Sequence, residues 1–335
     1  MNFSDIYGQH RAIEQITTAL SSSRIHHALL FTGPDGIGKR TLATVVAQRL
    51  LCAEASDNGP CNACGSCVRF VEKTHADFLV LGLELKSDGT LEKMIKVDQI
   101  RGLQKKLALK PFEGGGRVVL ITDAERMNPS TANALLKTLE EPPADTVFLL
   151  TSNTPSSLLP TVVSRCQSLR LAPLSSAALR RIALRHVAQP TELVEHAIES
   201  AEGSISRLLR FLDEDAAAVR TRCFERIEAL RTGAGAGAVI QYAEQDAADK
   251  KRSVSGLVLD VLQSWYRRAL VSRYVSDTST NTLGLAHNKT LRSDDIMALL
   301  GLIDRVRQGI SSNQRNVRLA MEEVWFFVEA MENKS

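Results

Sequence analysis

The residues best suited to chemistry fall into two clusters near the start of the chain. In the first, Gly33, Gly36, Gly38 and Lys39 stand in the run GPDGIGK, which fits the phosphate-loop pattern G-x-x-x-x-G-K-[ST] through its lysine. Glycines let the backbone approach a phosphate closely, the lysine meets the β- and γ-phosphates, and the hydroxyl that follows ligates Mg²⁺. HALLFT before the loop reads as a strand and TLATVVAQRLL after it as a helix, the context that such a loop requires; a plain glycine turn is the alternative. Here Arg40 takes the hydroxyl position, and Thr41 comes one residue late, about 100° further around the helix. Downstream, the apolar strand of RVVLITDAER ends in Asp123, a carboxylate placed for a cation. Its neighbour is Ala124, where nucleotide hydrolases commonly hold a glutamate that polarises the attacking water, and Glu125, one residue off register, is expected to point elsewhere. The expectation is a loop that can hold ATP or ADP without hydrolysing it unaided.

The second cluster is Cys52-x8-Cys61-x2-Cys64-x2-Cys67, set among Gly and Pro in CAEASDNGPCNACGSC. Four soft donors at about 2.3 Å suit tetrahedral Zn²⁺, and two-residue spacings let a turning chain present successive sulfurs to one ion. Two disulfides or an Fe–S cluster are the alternatives. The absence of a Cys-Pro pair and an expected reducing compartment favour zinc. With every position filled by sulfur, such a site is structural. Cys166 and Cys223 stand alone and read as small buried residues, and His26 and His27, without a nearby acid or thiol in sequence, as packing or capping residues.

Alternating short apolar runs and helical patterns must position these clusters. The pattern predicts strands over 27–32, 78–81, 117–122, 146–152 and 167–170, with helices over 9–21, 39–51, 97–107 and 130–140 and a short turn near 158–165. That is the sequence form of a parallel sheet covered by helices. Strand signals then stop, and short helices are predicted over 175–186, 190–201 and 204–214, followed by longer ones over 253–275, 293–309 and 316–332. The expected domains are an α/β phosphate-loop module with its cysteine insert over 1–171, a small helical lid over 172–214 and an all-α domain over 215–335. GAGAGA at 233–238 is a break within the last of these. Trp265, Tyr266, Trp325 and Phe326 lie among apolar neighbours there, pointing to packing in the core or against other subunits rather than base stacking.

Composition narrows the classes. Hydrophobic content of 44% against 24% charged residues argues for a chain folded throughout. With 41 basic and 38 acidic residues the formal charge is only +3, so no chain-wide field announces nucleic-acid binding. The start lacks a basic stretch followed by an apolar one, and no run of about 18 apolar residues occurs, so a cytoplasmic protein without a membrane partner is expected.

Several stretches fit one pattern together: YGQHRAIEQITTAL, HHALLFTGPDGIGKRTLA, ITDAERMNPSTANALLKTLEEPP and TVVSRC. The chain resembles the bacterial sliding-clamp loaders, AAA+ assemblies of DNA polymerase III, strongly over its N-terminal ~210 residues and loosely over the helical remainder. The resemblance implies an AAA+ module, a lid and a helical collar that joins subunits. It makes Arg165 of SRC an arginine finger reaching into a neighbouring subunit's ATP site, where a planar cation stabilises charge on the transferring phosphoryl group. A surface arginine paired with a carboxylate is the alternative. Arg207 falls where relatives carry a second sensing arginine, and Ser152 and Asn153 where they carry the first sensor; a helix-surface arginine and strand-end turn residues are the other readings. The altered loop resembles the stator type of subunit in this family, with the ATP-hydrolysing gamma/tau-like motor as the alternative. Implied partners are the delta- and gamma/tau-type loader subunits and, through the complex, the beta sliding clamp and primed DNA. A zinc-dependent DNA-binding module is a further rival, but only Arg69 and Lys73 stand near the insert, too little charge for phosphate capture.

Overall fold

The protein is described from a computed structural model, which covers all residues except 23, 87–91, 114, 188–191, 249–252, 275–290, 312–314 and 334–335. Five parallel strands form one sheet: β1 Ala28–Thr32, β2 Phe78–Leu81, β3 Arg117–Ile121, β4 Thr146–Ser152 and β5 Gln167–Arg170, in the order β2-β3-β4-β1-β5. All five residues of β1 and of β3 are buried, as befits inner strands covered on both faces. Leu30, Ile121, Phe148 and Leu150 share one core with Ile100 and Leu103 of α4 (Val97–Leu107) and Leu135 and Leu139 of α5 (Pro129–Glu140). Parallel β1 and β4 are neighbours although far apart in sequence, and Thr32 pairs with Ser152. The carboxyl ends of β1, β3 and β4, with the loops that follow them, therefore converge on one edge, where open parallel sheets hold their ligands.

The remaining helices of this part are α1 His10–Ser21, α2 Lys39–Leu51, α3 Gly65–Val71, α6 Pro160–Val163 and α7 Ser176–Ala183. Short 3₁₀ turns occupy Phe3–Asp5, Ala124–Arg126 and Pro155–Ser157. Helix α3 begins inside the cysteine insert, where glycine and proline mask any helical period. Elsewhere the strands and helices expected in this part agree with those found to within two residues at their ends, apart from the later end of the first lid helix. Then come α8 Glu192–Ala201, α9 Ile205–Leu212, α10 Glu214–Arg231, α11 Ala236–Ala247, α12 Ser253–Val271, α13 Ser293–Ser311 and α14 Val317–Glu332. Pro190 and Val275, expected ends of two helices, lie outside the described residues.

The chain divides into two compact units, one of Met1–Arg185 with Ala201–Arg207, the other of His186–Ser200 with Leu208–Ser335. The second is helical and has its own core, in which Trp325 and Tyr266 are fully enclosed and Trp265 nearly so. Phe326, next to Trp325, is 38% exposed, because successive helical residues face directions about 100° apart. Among the described residues no helix is long and apolar enough to cross a membrane. The α/β phosphate-loop class with a helical C-terminal region is therefore as the sequence predicts.

Candidate functional site

The phosphate loop has the glycine-dependent backbone that its sequence requires. Gly33 has φ +144° and would place a Cβ 2.5 Å from the Leu171 carbonyl oxygen, so no larger residue fits. Gly38, at φ +96°, is the left-handed N-cap of α2. Lys39 is buried, and its Nζ donates to the Gly33 carbonyl at 2.8 Å and to that of Pro34. Burial lowers its pKa, opposed by the charges of Asp35, Glu125 and Asp123. Above the loop lies the first turn of α9, where the Ile205 and Ser206 N–H groups donate to the Gly36 carbonyl at 2.7 and 3.3 Å. A Cβ on Gly36 would collide with Ser204. Arg207 is turned onto Glu202 at 2.8 Å, while its N–H donates to the Ser204 hydroxyl. Lys39, the first turn of α9 and Arg207 thus each find a partner within the chain. Arg40 and Thr41 are exposed on the first turn of α2.

Asp123 sits beyond β3 at φ +52°, its N–H on the Thr151 hydroxyl at 3.2 Å. Burial pushes its carboxyl up, reinforced by the negative charges of Glu125 and Asp35. Ala124 is fully buried and brings no functional group. The direction expected of Glu125 is corrected. The 3₁₀ turn Ala124–Arg126 rotates the chain by about 120° per residue, unlike an extended strand end. Glu125 Oε1 accordingly accepts the Asn153 N–H at 3.1 Å, and its charge bears on Lys39 and Asp123. Its Oε2 and the hydroxyl of the fully buried Ser152 have no hydrogen-bond partner among the described residues. Asp123, Glu125, Ser152 and Asn153 thus meet at the sheet edge beside the loop, with spare polar capacity.

Arg165 lies two residues past α6. Its guanidinium pairs with Glu140, the last residue of α5, and Nη1 donates to the Thr161 carbonyl at 2.9 Å and the Ser164 hydroxyl at 3.4 Å. About a third of the side chain remains exposed.

The four cysteines converge. Their sulfurs all lie within 4.8 Å of one another, with Cys52 to Cys64 and Cys61 to Cys67 each at 3.9 Å. A tetrahedron with 2.3 Å metal–sulfur bonds has edges of about 3.8 Å, so these spacings fit one ion. They are far from the roughly 2.05 Å of a disulfide. The N–H groups of Cys61 and Cys64 donate to Cys52 and Cys61 sulfurs at 3.3 and 3.2 Å, the kind of support that thiolate ligands receive. A backbone hydrogen bond from Cys67 leads the effects that draw the Cys64 thiol down to about 6, whereas burial pushes Cys67 up to about 12. Of the lone cysteines, Cys223 is fully buried and Cys166 half-buried. His26 bonds the Ala28 backbone at the start of β1, and His27 the Leu139 carbonyl in the last turn of α5.

The network behind the cysteines is invisible in the sequence. Buried His75 bridges the Ser66 hydroxyl at 2.9 Å, between Cys64 and Cys67, and the Glu113 carboxylate at 3.4 Å. Arg69 grips Glu113 with two bonds, at 2.9 and 2.6 Å. Buried Asp77 accepts the N–H groups of Phe112 and Glu113 and faces Arg117. These partners are separated by up to 44 residues, and no local spacing signals them. Gln9 was missed for the same reason; it clasps Ala172 through both its amide atoms at 2.8 and 3.2 Å.

Residues 8–175 match the family described as DNA polymerase III, delta subunit. A DNA polymerase III subunit delta' of Pseudomonas aeruginosa is 44% identical over 179 residues, 53% of each chain, so the matched stretch spans about half of that relative. The subunit delta' of Escherichia coli K12 is 29% identical over 89% of this chain and 87% of its own. A subunit tau of Salmonella typhimurium is 30% identical over 63% of this chain and 33% of its own. Among solved structures, a DNA polymerase III gamma subunit-related protein of Thermotoga maritima superposes with TM-score 0.51 at 17% identity, covering 96% of this chain and 99% of that one, a likeness of fold.

Proposed function

The chain belongs to the family described as DNA polymerase III, delta subunit, and from that premise we propose that it works as a delta-prime-like stator of a clamp-loader complex in the cytoplasm. In this reading it holds subunit geometry through its helical collar while ATP turns over next door, and it presents Arg165 to that neighbouring site. Its partners are the delta- and gamma/tau-type subunits and, through them, the beta sliding clamp and primed DNA. It carries no polymerase site of its own. Cys52, Cys61, Cys64 and Cys67 hold a structural Zn²⁺, which supplies a crosslink and no chemistry.

One observation carries the reading: Lys39, the first turn of α9 and Arg207 each find a partner within this chain, while the Arg165 side chain stays partly exposed. Lys39 is engaged by the Gly33 and Pro34 carbonyls, the α9 N-terminus by the Gly36 carbonyl and Arg207 by Glu202. Ala124 and Arg40 remove the base and the magnesium hydroxyl that hydrolysis needs. A phosphoryl-stabilising arginine supplied in trans contributes on the order of 10³-fold or more to turnover. In a reconstituted complex, Arg165→Ala is expected to leave assembly intact and to depress DNA-stimulated ATP turnover severely; native turnover would sink the proposal.

The motor reading, with gamma/tau-like hydrolysis by this chain itself, has one observation in its favour, the Glu125 carboxylate beside Lys39 and Asp123. Turnover by the isolated chain separates the two, since a stator hydrolyses no ATP alone and a motor does.

A further inference from the structure

The contact between Glu140 and Arg165 has a direction that the stator reading leaves open. Glu140 closes α5, where a carboxylate meets the negative end of the helix dipole and is disfavoured. Its compensation comes from Arg165, which is 25 positions later in the chain. The guanidinium is held at three points: by Glu140 at Nη2, and by the Thr161 carbonyl and Ser164 hydroxyl at Nη1. The hydrogen bonds and ion pair of Arg165 among the described residues all use Nη1 or Nη2, and a third of the side chain is exposed. A planar guanidinium offers five donors in a fixed fork. Pinning the Nη atoms therefore leaves a donor edge free, in one orientation, for an oxyanion arriving from outside.

At 33% and 47% side-chain exposure the ion pair adds little to folding stability. Its effect is conformational, because arginine has many rotamers and each one frozen before docking is one not ordered during it. We propose that Glu140 is the positioning residue of Arg165: it fixes the guanidinium before the neighbouring subunit's ATP arrives, so that the free edge meets the transferring phosphoryl group. This rests on the in-trans role proposed for Arg165. Glu140 touches neither nucleotide nor the reacting atoms, and it acts through the arginine alone.

The test uses the loader complex reconstituted with Glu140→Ala, Glu140→Gln, Arg165→Ala and the double variant, with assembly followed by size-exclusion chromatography. Glu140→Ala is expected to lower kcat for DNA-stimulated ATP turnover roughly tenfold with KM for ATP unchanged, the signature of a misplaced group that acts in the transition state. Glu140→Gln keeps an acceptor oxygen and should recover most of the loss. The double variant should be no slower than Arg165→Ala, since Glu140 has nothing else to act on. If Arg165→Ala is slow while Glu140→Ala turns over at the native rate, positioning by Glu140 is wrong. An additive double variant, or a Glu140→Gln complex that no longer assembles, overturns it too. Native turnover by Arg165→Ala instead overturns the in-trans reading beneath it.

Discussion

Asp77 shows how one side chain can set the shape of a whole loop. It is fully buried at the foot of β2, and its two oxygens accept the Phe112 and Glu113 N–H groups at 2.9 and 2.8 Å. Arg117, facing it at 3.4 Å, donates in turn to the carbonyls of Lys106, Leu109 and Lys110 at the C-terminal end of α4. Lys106 lies in the last turn of α4 and the other two just beyond it, and a cation at a helix C-terminus is favourable. Burial alone would raise the Asp77 carboxyl, but the two N–H groups and Arg117 outweigh it and hold it below the ordinary carboxylate range. A depressed folded-state pKa means stability that is fully present above the ordinary value and lost as pH falls through the folded one. Asp77→Asn should therefore cost about 3 kcal/mol at neutral pH, as for a broken buried pair, when read by urea unfolding. Its difference from the native chain should narrow below about pH 4. A pH-independent difference would contradict this account.

At the scale of elements, the insert between α2 and β2 is a short chain segment whose order depends on its thiols. Helix α3 is only seven residues long, too short to persist without tertiary support. Cys64 caps it, Cys67 lies in its first turn, and Ser66 between them is tied to Leu51 and His75. A metal bound by four thiolates would join the end of α2 to α3 and stabilise the folded form by mass action. The native chain is expected to carry one zinc per molecule, measured by atomic absorption. Cys61→Ser or a strong chelator should remove it and lower the first unit's unfolding midpoint by roughly 10 °C, equivalent to about 3 kcal/mol. Full metal content in Cys61→Ser would refute a four-thiolate site.

For the whole molecule, the two units have separate cores, so damage to one should spare the other. Trp325 is fully enclosed in the second unit; its indole N–H donates to Asp246 at 2.8 Å, and Arg226, itself bonded to Asp246 at 2.7 Å, lies 5.5 Å from the ring centre. Removing the ring leaves a cavity and two buried charges with one partner fewer. Trp325→Ala should cost about 3–5 kcal/mol and loosen the helical unit. The expected outcome is loss of subunit assembly in size-exclusion chromatography with zinc content unchanged. Simultaneous loss of the metal would show that the units do not fold independently. The sequence by itself determined the features that depend on neighbours in the chain: the glycine loop after an apolar strand, the alternation of strand and helix, the cysteine spacing, and the missing hydroxyl and base at Arg40 and Ala124. Backbone periodicity and short-range geometry repeat, so they leave a readable pattern. Only the tertiary structure decided where Glu125 points, what engages Lys39 and Arg207, and that Glu140 holds Arg165. Each of these turns on a loop conformation or a partner far along the chain, and one polar side chain reaching another across such a distance leaves no period to read.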